Sequence, residues 1–380
     1  MTIVFVTVAL NIHQVGIADE LYRLTDGNYW FIEIGDIGGD NSKGGKLNNF
    51  SQRSYLIKTT DGEASVQKAL QLVRDADVMI YGAAPLMYLR ERIKTGKLTF
   101  MYSERWLKKG ILNLLSPRLL KQQWFYHTHC HGKPFYVLCS SAYAVRDFRL
   151  MRSFIGKCYK WGYFTDVHEF DIKSILYKKR ENSRVKILWV ARLIDWKHPE
   201  VMIELALQLL QEKVDFIINM IGSGDMFNQL QIQIQKHELG EHVHLLGSMS
   251  NERVRQTMLS HHIACFTSDR NEGWGAVLNE DMGSGCCPVG SIEAGATPYL
   301  IKDGLNGFSF DLKKKNDLFE KVLWLIKHPE ERERMSIEAY KTIRDVWSPK
   351  NAAEQLYKLC QSMLQGESYV VEDGPCSKAE

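Results

Sequence analysis

Short apolar runs alternate with amphipathic stretches along most of the chain, and this alternation is the feature that most constrains its fold. Apolar runs flanked by polar turns predict buried strands, whereas an apolar residue every three or four positions predicts a helix packed on a sheet. The strands predicted in a first series cover residues 3–9, 30–34, 54–58, 77–81, 98–102 and 135–140, with helices over 15–24, 63–75, 85–94 and 142–153. Those of a second series cover 185–190, 215–221, 242–246, 262–267, 286–290 and 307–310, with helices over 198–212, 225–237, 250–259, 275–284 and 315–327. Two successive series of this kind predict an α/β protein with two doubly wound parallel sheets, each binding ligands at the carboxyl ends of its strands.

The length of 380 residues also favours two domains, because single cores rarely grow so large. We expect a Rossmann-like N-terminal domain over 1–165 and a second Rossmann-like domain over 184–349, joined by a polar linker over 166–183. A last helix over 350–365 is expected to cross back to the first domain. The tail 366–380 is polar and aperiodic, which predicts disorder.

Composition excludes several classes of protein. Hydrophobic residues make up 45% and charged residues 24% of the chain, as in a soluble globular enzyme. The net charge of +3 argues against a protein that binds nucleic acid by bulk phosphate attraction. Residues 1–10 are predicted to form the first strand rather than a signal peptide. The eight cysteines show no zinc-type spacing, which favours a reducing, cytoplasmic location.

Two glutamates, Glu272 and Glu280, are separated by seven residues at a predicted strand-to-helix junction. Between them lies the turn formed by Gly273, Trp274 and Gly275. Glycines let the backbone approach a ligand, and a helix N-terminus offers free N–H groups and a positive dipole end, which suits a phosphate. One carboxylate would then accept hydrogen bonds from sugar hydroxyls and the other would hold a ribose. The alternative is an acidic first turn that only complements the helix dipole.

Two neighbouring loops favour the ligand site over that alternative. Arg192 and Lys197 follow the first strand of the second series, where fixed cations can neutralise a diphosphate leaving group. Gly222 and Gly224 follow the next strand in a glycine turn. Phe227 occupies the position of the third glycine of a dinucleotide fingerprint, so we reject a nicotinamide site.

These residues resemble the donor domain of the retaining glycosyltransferases of GT-B architecture, the large family-four group (glycosyl transferases group 1) with the E-x7-E motif. Bacterial capsular and surface polysaccharide enzymes are among its members. The resemblance covers residues 185–310 and includes the segments 291–298 and 302–307. It implies two Rossmann-like domains that face each other across a cleft.

The resemblance also implies roles for individual residues. Glu272 would contact hydroxyls of the transferred sugar, Arg192 and Lys197 would contact the diphosphate, and Glu280 would hold the ribose. The further donor-binding residues that it implies are Gly16, Gly222, Gly224, Gly273, Trp274, Gly275, Ala276 and Val277. The implied reaction transfers a sugar from a UDP- or GDP-linked donor to a saccharide or lipid-linked acceptor, with retention and without a metal or other cofactor. A non-hydrolysing nucleotide-sugar epimerase and a non-catalytic sugar-nucleotide-binding membrane scaffold are the rival hypotheses.

The first domain carries weaker signals. His13 and Gln14 follow the first strand and are candidates for contact with the acceptor, although helix capping or packing explains His13 equally well. Small residues at 82–84 stand where many relatives have a cleft histidine, which leaves a carried-over catalytic histidine without support.

Two short motifs resemble metal sites. In an extended segment, the imidazoles of His127, His129 and His131 would share one face, as metal ligands do. Asp75 and Asp77 form a D-x-D pair, but they precede a strand instead of following one. We expect no metal at either motif.

Residues 105–124 interleave lysines and arginines with leucines and tryptophans. This pattern is typical of a surface that contacts an anionic membrane or a lipid-linked acceptor. It is equally typical of an amphipathic helix packed inside its own domain, and the sequence leaves both open.

Overall fold

A computed structural model describes residues 1–35, 50–181 and 184–380. The chain divides into two compact units. The first comprises Met1–Asp166 together with Trp347–Glu380, and the second comprises Val167–Val346.

The first unit is built on a sheet of seven parallel strands in the order β3-β2-β1-β4-β5-β6-β7. Its strands are β1 (Ile3–Thr7), β2 (Tyr29–Glu33), β3 (Leu56–Lys58), β4 (Val78–Tyr81), β5 (Leu98–Ser103), β6 (Phe135–Cys139) and β7 (Cys158–Lys160). Its helices are α1 (Val15–Leu24), α2 (Glu63–Asp75), α3 (Leu86–Thr95), α4 (Pro117–Phe125) and α5 (Ala144–Leu150). Every residue of β1 is buried, as expected of a strand covered on both faces. Strand β7 was not predicted from the sequence.

The second unit is built on six parallel strands in the order β10-β9-β8-β11-β12-β13. Its strands are β8 (Val185–Val190), β9 (Phe216–Ile221), β10 (Val243–Leu245), β11 (Ile263–Phe266), β12 (Cys287–Ser291) and β13 (Phe308–Phe310). Its helices are α6 (Ile172–Arg180), α7 (Val201–Gln211), α8 (Phe227–Lys236), α9 (Asn251–Leu259), α10 (Ala276–Gly283), α11 (Thr297–Leu300), α12 (Asp317–Lys327) and α13 (Pro329–Lys341). The predicted pair of doubly wound α/β sheets is confirmed.

The predicted polar linker over 166–183 contains a helix of the second unit. Helix α6 occupies half of it, and Leu176 and Lys179 are buried. The Lys179 ammonium donates to the carbonyl of Gly285 at 2.7 Å, so the buried ammonium has a hydrogen-bond partner. The charged residues of this segment predicted a linker. The prediction failed because a lysine such as Lys179 can bury its apolar stem while its ammonium donates to a carbonyl. Residues 182 and 183, at the end of the predicted linker, lie outside the described residues.

The C-terminal segment belongs to the first unit. Helix α14 (Pro349–Gln365) packs against α1, with Ala352, Ala353 and Leu356 fully buried. Gly16 in α1 meets Pro349 at this contact, since a Cβ at Gly16 would lie 3.0 Å from the proline Cβ.

The prediction that residues 366–380 are disordered is wrong. They run beside the edge strand β7, where the Lys160 amide donates to the Ser377 carbonyl and the Cys376 amide donates to the Lys160 carbonyl, both at 2.8 Å. Cys376 is 2% exposed. Backbone pairing with an unprotected sheet edge orders a segment whose polar side chains alone predict no structure.

Candidate active site

The second sheet has its topological switch point between β8 and β11. The chain leaves β8 through α7 to reach β9 on one side, whereas β11 pairs with the other side of β8. Connections that depart in opposite directions open a crevice at the carboxyl ends of the two strands, where ligands bind in sheets of this type. Residues 191–198 follow β8 and residues 267–275 follow β11, so both loops lie at this crevice.

Lys197 and Glu272 form an ion pair in this crevice. Their side chains are 11% and 13% exposed, which makes the pair mostly buried but reachable from solvent. The two loops are also joined by the Thr267 hydroxyl, which donates to the Lys197 carbonyl at 2.6 Å and accepts from the Trp189 indole at 2.7 Å. The sequence predicted Lys197 and Glu272 as site residues, and the structure brings them into direct contact.

The backbone around Glu272 is held by two further hydrogen bonds. The Glu272 amide donates to the Asp269 carbonyl, and the Asp269 amide donates to the Trp196 carbonyl, each at 3.0 Å. Gly275 has a φ of +101°, and a Cβ there would lie 2.2 Å from the ring of Phe266. Only glycine fits this position, at which the loop turns into α10.

Helix α10 begins at Ala276, with Gly275 as its N-cap and no side-chain cap. The backbone N–H groups of its first turn, at Ala276 and Val277, therefore remain available to an anion. Trp274 is fully buried, and its indole donates to the Asn279 side chain at 2.8 Å, so the side chain anchors the start of the helix. Of the donor-binding residues predicted here, Trp274 and its neighbour Gly273 are left to act through their backbone, since both are buried.

Glu280 lies one turn into α10 and is half-buried. The next residue, Asp281, is 3% exposed, and burial, with a smaller contribution from the charge of Glu280, raises its carboxyl pKa well above the ordinary value. Burial thus disfavours the charged form of Asp281, and Glu280 is the more exposed of the two neighbouring acids.

Arg192 is exposed at the end of β8. Its guanidinium lies 5.7 Å from the ring centroid of Trp196, and the Lys197 ammonium lies 4.3 Å from the same ring. Both cations thus lie beside the Trp196 ring near the switch point.

Gly222 and Gly224 follow β9 with φ angles of +149° and +158°. A Cβ at Gly222 would lie 1.8 Å from the Ala191 carbonyl oxygen, and one at Gly224 would lie 2.3 Å from the Leu193 carbonyl oxygen. The need for glycine therefore arises from close packing against the loop that carries Arg192. A role of the two glycines in donor binding stays a prediction.

His198 is a functional candidate that the sequence analysis missed. It adopts a left-handed conformation with φ +49°, and its Nδ1 lies 2.9 Å from the Glu200 carboxylate while its Nε2 lies 3.6 Å from the Asp269 carboxylate. The hydrogen bond with Glu200, followed by the charges of both carboxylates, raises the imidazole pKa above its ordinary value against the opposing effect of burial. Its place next to Lys197 was the available signal in the sequence.

The predicted residues of the first unit lie at the switch point of their own sheet, between β1 and β4. The His13 ring stacks on Tyr163 with centroids 5.8 Å apart, and the His13 carbonyl accepts from Phe164 at 3.4 Å. The Gln14 side-chain oxygen is buried without a hydrogen-bond partner among the described residues. His13 and Gln14 also line a small cavity with aromatic walls, to which Tyr102 and Phe164 contribute.

The histidine segment 127–131 does not adopt the extended conformation in which its imidazoles would share one face, and one carboxylate of the D-x-D pair has a structural role. Residues Tyr126–Cys130 form a π-helical turn rather than an extended segment, and the His129 ring stacks on Phe125 at 4.8 Å. Asp77 accepts the Thr2 amide at 2.7 Å at the start of β4. Within the parts of the chain that the structure describes, no group of three or more His, Cys, Asp or Glu residues is placed to hold a metal ion.

Comparison with known proteins relates the second unit to one family and the whole chain to one fold. Residues 173–342 match the family described as "Glycosyl transferases group 1", and this span fills nearly all of the second unit. The second unit is therefore a glycosyl transferases group 1 domain, and the chain has the GT-B fold with its two Rossmann-like sheets.

Individual relatives agree with this classification. An uncharacterized glycosyltransferase of Methanocaldococcus jannaschii is 29% identical over 163 residues, which are 43% of this chain and 44% of that protein. The crystal structure of Anabaena HepE in complex with UDP is similar with a TM-score of 0.69 at 16% identity, over 95% of this chain and 100% of that one. The crystal structure of a glycosyltransferase from Rickettsia africae has the same TM-score, over 96% of this chain and 99% of that one. The chain spans less than half the length of the curated relatives it matches, and the structural similarities establish the fold alone.

Proposed function

We propose that this protein is a retaining glycosyltransferase that moves a sugar from a nucleoside diphosphate donor to a saccharide or lipid-linked acceptor. The observation that supports it most directly is the Lys197–Glu272 ion pair at the switch point of the second sheet. The pair unites a cation suited to a diphosphate and a carboxylate suited to sugar hydroxyls in one crevice.

Donor binding exchanges the partners of this ion pair. The diphosphate takes the Lys197 ammonium and the Arg192 guanidinium as counter-ions, and the first-turn N–H groups of α10 bind a phosphate oxygen. Glu272 is then released to accept hydrogen bonds from the transferred sugar. Glu280, further along α10, accepts hydrogen bonds from the ribose. The donor is UDP- or GDP-linked, and the UDP complex of Anabaena HepE supports UDP.

The chemical step breaks the bond between the anomeric carbon and the phosphate oxygen, and it forms a bond from that carbon to the acceptor oxygen on the same face. The acceptor proton passes to the departing phosphate oxygen, so the products are the glycoside and the nucleoside diphosphate. Lys197, Arg192 and the helix N-terminus stabilise the charge that develops on the leaving phosphate. These fixed cations supply the stabilisation that a divalent metal provides elsewhere, and we propose that the reaction needs none.

The acceptor is assigned to the first unit, where His13 and Gln14 are the candidate contacts. The reaction belongs to polysaccharide or glycoconjugate biosynthesis in the cytoplasm, at the inner face of the membrane where the acceptor is lipid-linked. All eight cysteines lie among the described residues as buried thiols without disulfides, which agrees with a reducing compartment. No helix in the described ranges is long and apolar enough to cross a bilayer.

The test is product analysis by mass spectrometry with a panel of UDP- and GDP-sugars, each with and without saccharide and lipid-linked acceptors. We expect a glycosylated acceptor and free nucleoside diphosphate, with the anomeric configuration of the donor retained in the product. An inverted product refutes retention. An epimerised nucleotide sugar formed without any acceptor refutes transfer and favours the epimerase hypothesis.

A further inference from the structure

A cluster of large apolar side chains is exposed on one short part of the first unit. Ile111, Leu112 and Leu115 lie on a 3-10 turn and are 62%, 80% and 75% exposed. Leu120 and Trp124, which are 50% and 62% exposed, lie four residues apart on the outward face of α4, while Leu119 and Phe125 face the core. An apolar helix packed inside its own domain would bury these side chains. Their exposure favours a surface for a partner over a helix face packed inside the domain.

This surface is held in place by a network of buried contacts. The Asp147 carboxylate, 1% exposed, accepts from the Leu107 amide at 2.8 Å and pairs with Arg105 at 3.3 Å. The Asn113 side chain donates to the Trp106 carbonyl at 3.1 Å, and Ser116 caps the start of α4. The exposed side chains therefore project from an anchored scaffold.

The segment around this cluster is strongly basic. Residues 105–146 contain seven lysines and arginines and no aspartate or glutamate, although acidic and basic residues nearly balance over the whole chain. Lys108 pairs with Glu104 outside this segment, and Arg105 pairs with Asp147. The cations exposed beside the apolar cluster are Lys109, Arg118 and Lys121.

We propose that residues 109–124 form a membrane-docking surface that binds an anionic lipid bilayer. Exposed leucine, isoleucine and tryptophan side chains enter the boundary between headgroups and acyl chains, and the neighbouring cations contact lipid phosphates. A bilayer fits this combination because it offers apolar and anionic layers side by side over a wide area. The 3-10 turn and α4 are too short to span it, so the protein lies on the surface. This inference goes beyond sugar transfer, since it concerns binding that needs neither donor nor acceptor.

The test is co-sedimentation of the full chain with vesicles of phosphatidylcholine alone and with vesicles containing an equal part of phosphatidylglycerol. We expect binding to the anionic vesicles at low salt, weaker binding at high salt, and little binding to phosphatidylcholine alone. Absence of binding to anionic vesicles at low salt overturns the proposal. Binding that is equal on both vesicle types overturns the role assigned to the cations.

Two sets of variants separate the contributions. Replacement of Lys109, Arg118 and Lys121 by Gln should weaken binding about fivefold per charge and about 100-fold together. Replacement of Leu112, Leu115 and Trp124 by Ser should weaken binding to anionic vesicles at least tenfold. The residues changed are outside the proposed donor site, so transfer to a soluble acceptor should be unaffected, which distinguishes failure of this proposal from failure of the proposed function.

A matched control is available on the second unit. Ile232, 63% exposed, and Lys236 lie on α8, and Ile232→Ser with Lys236→Gln makes the same kind of change on another surface. This control should bind vesicles as the wild type does. Analytical ultracentrifugation tests a second copy of the chain as the occupant. Dimerisation that the Leu112, Leu115 and Trp124 changes abolish, with no vesicle binding, overturns the proposal in favour of self-association.

Discussion

Replacement of Glu272 by Gln tests the central ion pair of the proposed donor site. In the wild type, Lys197 is neutralised by Glu272, and both side chains are nearly buried. Breaking a buried pair by removal of one partner costs about 3–5 kcal/mol, and we expect about 2–3 kcal/mol here because solvent reaches both groups. The unliganded variant should therefore unfold at a lower temperature than the wild type.

The same change should strengthen the binding of the free nucleoside diphosphate. A diphosphate must displace Glu272 from Lys197 in the wild type, whereas the variant presents an unpaired ammonium. If about half of the lost pairing energy is recovered in binding, affinity rises about tenfold, since about 1.4 kcal/mol corresponds to a factor of ten. Transfer should nevertheless fall about 100-fold, because the amide accepts sugar hydroxyls less strongly than the carboxylate does in the transition state.

Calorimetry with the free diphosphate, thermal unfolding and transfer rates at saturating donor measure the three effects separately. Glu212→Gln is the matched control, because its ion pair with Lys327 lies on the surface and should contribute no more than about 1 kcal/mol. Weaker diphosphate binding by Glu272→Gln, together with unchanged transfer at saturating donor, would refute the partner exchange at Lys197.

Four further predictions follow from the same crevice. Arg192→Ala and Lys197→Ala should each lower turnover by about 100-fold at saturating donor while circular dichroism stays unchanged; near wild-type turnover would contradict their contact with the leaving phosphate. Glu280→Ala should weaken free nucleoside diphosphate in calorimetry, because its proposed partner is the ribose, and unaltered affinity would contradict that role. A strong chelator should leave transfer largely intact, whereas complete loss restored by a divalent ion would revive a metal mechanism. The pKa of His198 is raised, so the stabilisation from its charged contacts is complete below the unfolded-state value of about 6.5 and is lost as pH rises through the folded-state pKa. Wild type should therefore lose thermal stability relative to His198→Asn as pH rises above about 6.5, and parallel pH profiles would contradict this.

The sequence sufficed for the fold because the information that specifies it is local. The run that became β11 is continuously apolar, and the run that became β8 is apolar from residue 187 to 190, which is typical of strands buried on both faces. Gly275, at the end of the loop that follows β11, indicated a turn into a helix, and the positive φ there explains the need for a glycine. The loop positions of Lys197 and Glu272 followed from these assignments.

Contacts between residues far apart in the sequence could not be predicted from local patterns. Lys197 and Glu272 are 75 positions apart, and no local pattern predicts which cation a given carboxylate meets. The same holds for residues 366–380, whose order depends on backbone pairing with β7. Residues Tyr126–Cys130 form a π-helical turn, so the histidines do not share one face as they would in an extended segment.

The glycines after β9 show how one residue type can carry two explanations. The sequence interpretation of Gly222 and Gly224 required a ligand near the backbone, but the carbonyls of Ala191 and Leu193 already exclude a side chain at both positions. These carbonyls belong to the loop that carries Arg192, so the glycine turn fixes the position of that cation whether or not a donor is bound. The loop after β8 is thus supported on one side by the glycine turn and on the other by Thr267, which accepts the Trp189 indole and donates to the Lys197 carbonyl. In the proposed reaction, cations held in advance by this loop would stabilise the leaving phosphate without the cost of ordering the loop during catalysis.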